Sequence, residues 1–291
     1  MGDDAYGATI AKRRLAGILV RLRLGRGLTA THVCRKLGWG RGKLGRFEAN
    51  QWKRPNMSDI RDLLQFYQVG RNERDEIIKL ALLARKRPWW REYGDVFDTE
   101  YPGFENDASE IRVFCPLTLP VLLQTRRYAE LQQHRLRIPA EQGIRLMETV
   151  RHRQRVLLRD DGTAPVVIAV ITEAALRYDW GGVTDQLEQI VRLELLGGRP
   201  NIELRLHPFA AGGPPSPGGP VTHMRFPPDD AELVFAGTNL ATTIVSDRRT
   251  AETYASQLSE VVGQACDRAG TIGYLAELTR TLSLREDRPQ P

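Results

Sequence analysis

The chain reads as α+β: an all-α N-terminal head of five short helices, followed by a small mixed sheet flanked by helices. Three observations predict this. Apolar residues recur at three-to-four spacing through the first 87 positions. A β-branched run, Pro165-Val166-Val167-Ile168-Ala169-Val170-Ile171, then breaks that period and reads as a buried strand. Between them Pro88 stops the helical pattern, and Trp89-Trp90 and Tyr93 follow as residues that pack at a domain junction. The division predicted is a head at 1–87, a junction at 88–106, an α+β body at 107–284 and a disordered tail at 285–291.

Each element has its own signal. Residues 9–23 carry Ile10, Leu15, Ile18, Leu19 and Leu22 on one stripe, with Lys12, Arg13, Arg14 and Arg21 off it. Gly25 and Gly27 end that helix, and Thr29 caps a second that Gly38 terminates. A third spans 41–49 with Gly40 near its N-cap. Ser58 caps a fourth, and a fifth runs over 71–87. In the body, 115–120 is a kinked segment leading into helix at 122–136. An Arg-rich helix covers 140–158 and another 184–196. Further strands are predicted at 202–207, 222–226, 233–235 and 242–245. The stretch AGGPPSPGGP, 211–220, is a surface loop, and one long closing helix spans 247–268.

Charge is unevenly placed. Residues 1–70 hold fourteen Lys+Arg against five Asp+Glu, a balance of +9 in a chain whose total is +6, so the remainder carries −3. A basic head on a mildly acidic body suits phosphate binding at one end, although a solvated basic face gives the same balance. Cys34, Cys115 and Cys266 form no C-x-x-C pair, which argues against a disulfide scaffold or zinc site. Each reads as a small core residue in a reducing cytoplasm. No apolar run reaches membrane-spanning length and the N-terminus starts acidic, so neither membrane association nor a signal peptide is expected.

Residues 28–55, LTATHVCRKLGWGRGKLGRFEANQWKRP, place two short helical patterns around Leu37-Gly38-Trp39. On a helical wheel Leu44 and Phe47 face inward, while Gly42, Gly45, Arg46 and Ala49 face out, with Arg41 and Lys43 beside them. A helix so placed can enter a major groove. Arg41 and Arg46 are the base-reading candidates, because Arg bonds guanine bidentately. Lys43, Lys53 and Arg54 suit phosphates, which set register without reading sequence. Thr29, at its own helix N-terminus, is counted with them. Three glycines in the third helix would cost about 1 kcal/mol each relative to Ala. They also thin the reading face, which predicts modest discrimination and a dependence on dimerisation or a partner. The alternative is a helical pair that only packs.

Residues 9–70 resemble the Xre/Cro-type helix-turn-helix of phage repressors, through Leu28-Thr29, Val33, Leu37-Gly38, Leu44, Arg46, Phe47-Glu48 and Pro55. That family usually has Gln where Ala30 stands and Ser where Gly40, Gly42 and Gly45 stand. The resemblance implies an ion pair between Arg23 and Glu48. Trp89-Trp90-Arg91-Glu92-Tyr93, the 119–125 motif LPVLLQT, Tyr128-Ala129, Glu173-Ala174-Ala175-Leu176-Arg177 and Arg199-Pro200-Asn201-Ile202 resemble an actinobacterial group of Xre regulators with a large C-terminal domain. WhiJ-like developmental regulators belong to it, and some members are described as antitoxin-like.

No enzymatic constellation emerges. Residues 38–43 imitate a phosphate loop, but Leu37 stands at its first Gly and Leu44 at its Ser/Thr. His207 and His223, if on neighbouring strands, would make a metal pair conceivable; surface or loop-anchoring roles are the preferred reading. Glu173 and Arg177 read as an i,i+4 ion pair, with a ligand role as the alternative. The expectation is therefore a cytoplasmic, non-enzymatic regulator without cofactor or metal. It would bind double-stranded DNA as a homodimer and sense a ligand or a small partner protein through its body. The alternative is an antitoxin-like module that holds a small partner, its DNA binding weak or autoregulatory.

Overall fold

The structure, a computed structural model, describes residues 7–52, 54–178, 180–214, 219–227, 232–237 and 242–286. It divides into two compact units, one of residues 1–91 and the other of 92–226 with 231–291.

The first unit holds five helices: α1 (Ala8–Leu24), α2 (Ala30–Lys36), α3 (Lys43–Glu48), α4 (Met57–Phe66) and α5 (Arg71–Ala84). Their apolar stripes meet in one core containing Leu15, Leu19, Val33, Leu44, Phe47, Ile60, Leu63, Leu64 and Ile77. Each such side chain contributes roughly 1.5–3 kcal/mol by leaving water. Local chemistry corrects three boundaries. α3 begins at Lys43 because Gly42 adopts φ +78°, a left-handed conformation that closes the turn and suits glycine. Gly40 and Gly42 therefore precede the helix, and only Gly45 lies inside it. Asn56, not Ser58, caps α4, its side chain accepting from the Ser58 amide. α5 stops at Ala84, and a 3-10 turn over Trp89–Tyr93 follows, in which Trp90 donates its indole N–H to Thr9 at 3.3 Å.

The second unit is built on a six-stranded sheet of order β3-β2-β1-β4-β5-β6. The strands are β1 (Glu110–Cys115), β2 (Val166–Thr172), β3 (Ile202–His207), β4 (Val221–Arg225), β5 (Leu233–Gly237) and β6 (Thr242–Ile244). β1, β2 and β3 pair in parallel, and β4, β5 and β6 continue antiparallel. Parallel neighbours require crossovers. Helices α7 (Arg126–Arg135) and α8 (Ala140–Gln154) link β1 to β2, while α9 (Glu173–Arg177) and α10 (Val183–Gly197) link β2 to β3. Ahead of the sheet stands α6 (Tyr101–Asp107). Neither element is among those expected: α6 begins within the 88–106 junction, and β1 ends where the 115–120 segment begins.

Alternation assigns the faces. Phe114, Val170, Val221 and Val234 pack under α11 (Arg248–Gln264), against Leu258 and Val261. The single closing helix expected from sequence is two, α11 and α12 (Arg268–Glu286). The break has a cause at the edge of the sheet. The Cys266 amide donates to the Leu206 carbonyl at 2.8 Å, and Leu206 N–H donates to Thr271 Oγ1 at 2.9 Å. The interhelix turn and the first turn of α12 thus satisfy Leu206 of β3, an edge strand that would otherwise expose these polar groups. Asp267 then caps α12 by accepting from Gly270 N–H at 2.8 Å. α12 extends to Glu286, into the expected tail, whose residues 287–291 lie outside the described residues; so do 215–218 of the predicted loop.

The motif over 119–125 is a loop braced by amides. Gln124 and Gln154 donate to the Leu119, Val121 and Gln124 carbonyls, and Gln189 both donates to Leu123 and accepts from Thr125 N–H. A 3-10 turn over Val121–Leu123 supplies some of its backbone hydrogen bonds, and these side chains satisfy others, so the helix expected from 122 starts only at Arg126.

Candidate nucleic-acid interface

Arg23, near the end of α1, reaches across to α3. Its Nε and Nη2 donate to Glu48 at 2.6 and 2.9 Å, and Nη1 donates to the Leu28 carbonyl at 2.6 Å. One guanidinium therefore fixes the end of α3 and the entry to α2. A bidentate, charge-assisted pair of this kind is geometrically demanding, and the Glu48 hydrogen bonds are the main cause holding Arg23 further above its ordinary pKa.

The turn between α2 and α3 is set by Gly38 at φ +65° and by Trp39 N–H donating to Cys34 O at 2.8 Å. Trp39 then packs edge-on to Phe47 with ring centroids 5.8 Å apart, and Trp52 packs against Phe47 in a tilted arrangement at 4.6 Å. These contacts position α3 and present its outer side.

Arg41 lies exposed in the Gly40–Gly42 turn, ahead of the helix rather than within it. Arg46 is exposed on α3 beside Gly45 and Ala49, neither of which carries a long side chain. Arg54 is also exposed, and Lys53 lies outside the described residues. Thr29 is exposed and accepts from His32 N–H at 3.2 Å, as the cap of α2.

Lys43 departs from the phosphate-contacting role expected of it. Its Nζ donates to Asp59 Oδ1 at 2.7 Å and sits 4.3 Å from the Trp39 ring centroid. Asp59 is buried at 7 % exposure, so Lys43 neutralises a carboxylate that burial would otherwise penalise. Sequence reasoning also passed over Arg35 and Lys36, exposed on the last turn of α2 beside the turn into α3. Their signal was two adjacent cations off the Val33 stripe.

The second unit carries a small cavity with a buried ion pair in its lining. It lies over the sheet face bearing Ile111, Val113, Thr222 and Phe235, at the carboxyl end of β1. Arg153 of α8 donates Nε and Nη2 to Glu105 of α6 at 2.7 and 2.9 Å, with side chains 9 % and 3 % exposed. Burial pulls Arg153 toward losing its proton, but the Glu105 charge and hydrogen bonds outweigh it and hold the guanidinium above its ordinary value. Arg153 Nη1 carries no hydrogen bond among the described residues. Tyr101 donates to Thr222 Oγ1 at 3.3 Å, and burial pushes the Cys115 thiol up to about 12. The free space is about 30 Å³. One water needs roughly 10–15 Å³ on this measure, so the cavity suits one or two waters.

The remaining site residues resolve simply. Glu173 and Arg177 form the expected i,i+4 pair at 2.7 Å, and Glu173 also accepts from Phe209 N–H. His207 and His223 are not on neighbouring strands: β2 and β1 lie between β3 and β4. Neither is on the surface, since both are buried, and His223 is anchored to Glu232 at 2.8 Å. Among the described residues, no helix is long and apolar enough to cross a membrane, and no group of three or more His, Cys, Asp or Glu residues is arranged to hold a metal ion.

No curated protein and no solved structure matches the chain. Two family models do. Residues 5–77 match a helix-turn-helix domain, the kind of module that suits a DNA-binding regulator, and this covers α1 to the first half of α5. Residues 99–277 match a domain of unknown function, DUF5753, which covers the sheet and its helices into α12. That second match spans more than half of the 291 residues, and the chain therefore belongs to the DUF5753 family, with a helix-turn-helix domain ahead of it.

Proposed function

We propose that the chain is a transcriptional regulator of Xre type, acting in the cytoplasm, which binds double-stranded DNA through the outer side of α3. The observation that carries this is the Arg23–Glu48 clamp together with exposed Arg41, Arg46 and Arg54 around the α2–α3 turn. Arg41 and Arg46 contact base edges; Arg54, Arg35 and Lys36 contact phosphates. Lys43 is a positioning residue that holds α3 to α4. With Gly45 and Ala49 on the reading side, a single head discriminates weakly. Binding as a homodimer to a two-fold site supplies the rest.

For the body, the cavity over the sheet is too small for a drug-sized ligand: its 30 Å³ compares with about 300–1,000 Å³ in ordinary ligand pockets. A groove between α7 and α8, about 460 Å³, falls within that range and keeps a ligand as the second reading. A small partner protein is the better-supported input, and one observation favours it. Val191 and Leu195, one turn apart on α10, are 46 % and 72 % exposed. A body that holds such a partner also accommodates the antitoxin-like reading and the kinship with WhiJ-like actinobacterial regulators. No catalytic role is proposed for it.

The test is a gel-shift titration of the full chain on DNA from upstream of its own gene, over a salt series. Affinity should fall steeply, with log K falling by about 0.9 per log salt for each phosphate contacted. A salt-independent interaction, or none at 50 mM salt, would overturn the proposal.

A further inference from the structure

A large groove on the first unit lies away from the proposed DNA-reading surface. It runs between α1 and α5 and encloses about 730 Å³. Its floor is apolar, formed by Ile18 and Leu22 of α1 with Ile77, Leu80 and Leu83 of α5, and Leu82 on its edge is 54 % exposed. Its rim is basic. Arg14, Arg21, Arg26, Lys79 and Lys86 line it against Glu73 and Glu76, a local balance of +3. On α1, Ile18 and Arg23 are five residues apart, or about 140° around the helix axis. The groove therefore opens on a different side of α1 from the residue that clamps α3.

We propose that this groove is a docking site for an acidic amphipathic helix of another protein. Three features fix the occupant. An apolar floor with charges confined to the rim is the complement of a helix that presents an apolar stripe flanked by charge. The excess of cations selects acidic flanks. On α5 the lining runs from Glu73 to Leu83, about 15 Å at 1.5 Å per residue, and that seats about three helical turns. A second copy of the chain offering the same groove would bring two rims of +3 together, which opposes self-pairing there. The site belongs to the head and goes beyond the partner suggested for the body.

The experiment uses the full chain and two fluorescent 16-residue helical peptides. One carries Leu at i, i+3, i+4 and i+7 with Glu on the flanks; its twin has every Glu replaced by Lys. Anisotropy should show the acidic peptide binding about tenfold or more tighter than the twin. Leu82→Lys, a change at an exposed position, should weaken it by a similar factor. Arg21→Glu with Lys79→Glu should reverse the preference, while circular dichroism and DNA binding stay as in the parent. Binding of neither peptide overturns the proposal, as does equal binding of both. Sedimentation showing a dimer that Leu82→Lys dissociates, with no peptide bound, would assign the groove to a second copy instead.

Discussion

Replacing Glu105 with Ala should be among the most damaging single changes in the second unit. The carboxylate is 3 % exposed and is the bidentate acceptor for Arg153, itself 9 % exposed. Removing it leaves a guanidinium that cannot shed its proton, facing Ile111, Val113 and Phe235. Breaking one side of a buried pair costs about 3–5 kcal/mol. For a domain of this size 1 kcal/mol moves the midpoint by roughly 2–4 °C. The transition assigned to the body should thus fall by about 6–20 °C, with the head transition unmoved. Replacing both partners, Glu105→Leu with Arg153→Met, should recover most of the loss, because two desolvated charges are removed together. Differential scanning calorimetry of the full chain reads both transitions. A single-variant loss under about 1 kcal/mol would refute the reasoning, as would a double variant as unstable as the sum of the singles.

Three further outcomes follow from the geometry. Lys43→Ala should lower the stability of the head yet leave the salt slope of DNA binding unchanged, whereas Arg54→Ala should reduce that slope by about 1; the salt series distinguishes them. Gly42→Ala should cost about 1–2 kcal/mol, since φ +78° penalises any Cβ there and the added methyl meets only the flexible end of Arg46; a thermal melt of the head measures it. Cys115 should resist thiol reagents at pH 8 in the folded chain. Its pKa is raised from 9.0 to about 12, so its contribution to stability is present below about pH 9 and is lost as pH rises toward 12. Labelling before and after adding urea checks the reactivity.

Much of the head was legible because its signals are local. Thr29, Gly38 and the spacing of Leu44 and Phe47 fix caps, turn and inner face without reference to distant residues. The start of α3 was misplaced because a glycine before a helix and a glycine inside it look alike until φ is known. The ion pair of Lys43 was hidden for a related reason: its partner Asp59 is sixteen residues away on another helix. In the body, the parallel run 166–172 announced itself by β-branching, but β1, Glu-Ile-Arg-Val-Phe-Cys, has two charged residues in its first three. Its alternation of Ile111, Val113 and Cys115 was the signal available. The split between α11 and α12 is tied to β3 by tertiary hydrogen bonds, and the Asp267 cap was the local signal available for it. The Glu105–Arg153 pair was equally hidden, because 48 residues separate two ordinary-looking charges.

The central claim is that the exposed side of α3 reads DNA, and Arg46 tests it most directly. The measurement is the affinity of parent, Arg46→Ala and Arg54→Ala chains for a site selected from random DNA and for a scrambled one, at one fixed salt concentration. Arg46→Ala should lose about 1–3 kcal/mol on the selected site and relax its preference at one base pair, while Arg54→Ala weakens both DNAs equally. Parent-like affinity and preference in Arg46→Ala would contradict the account.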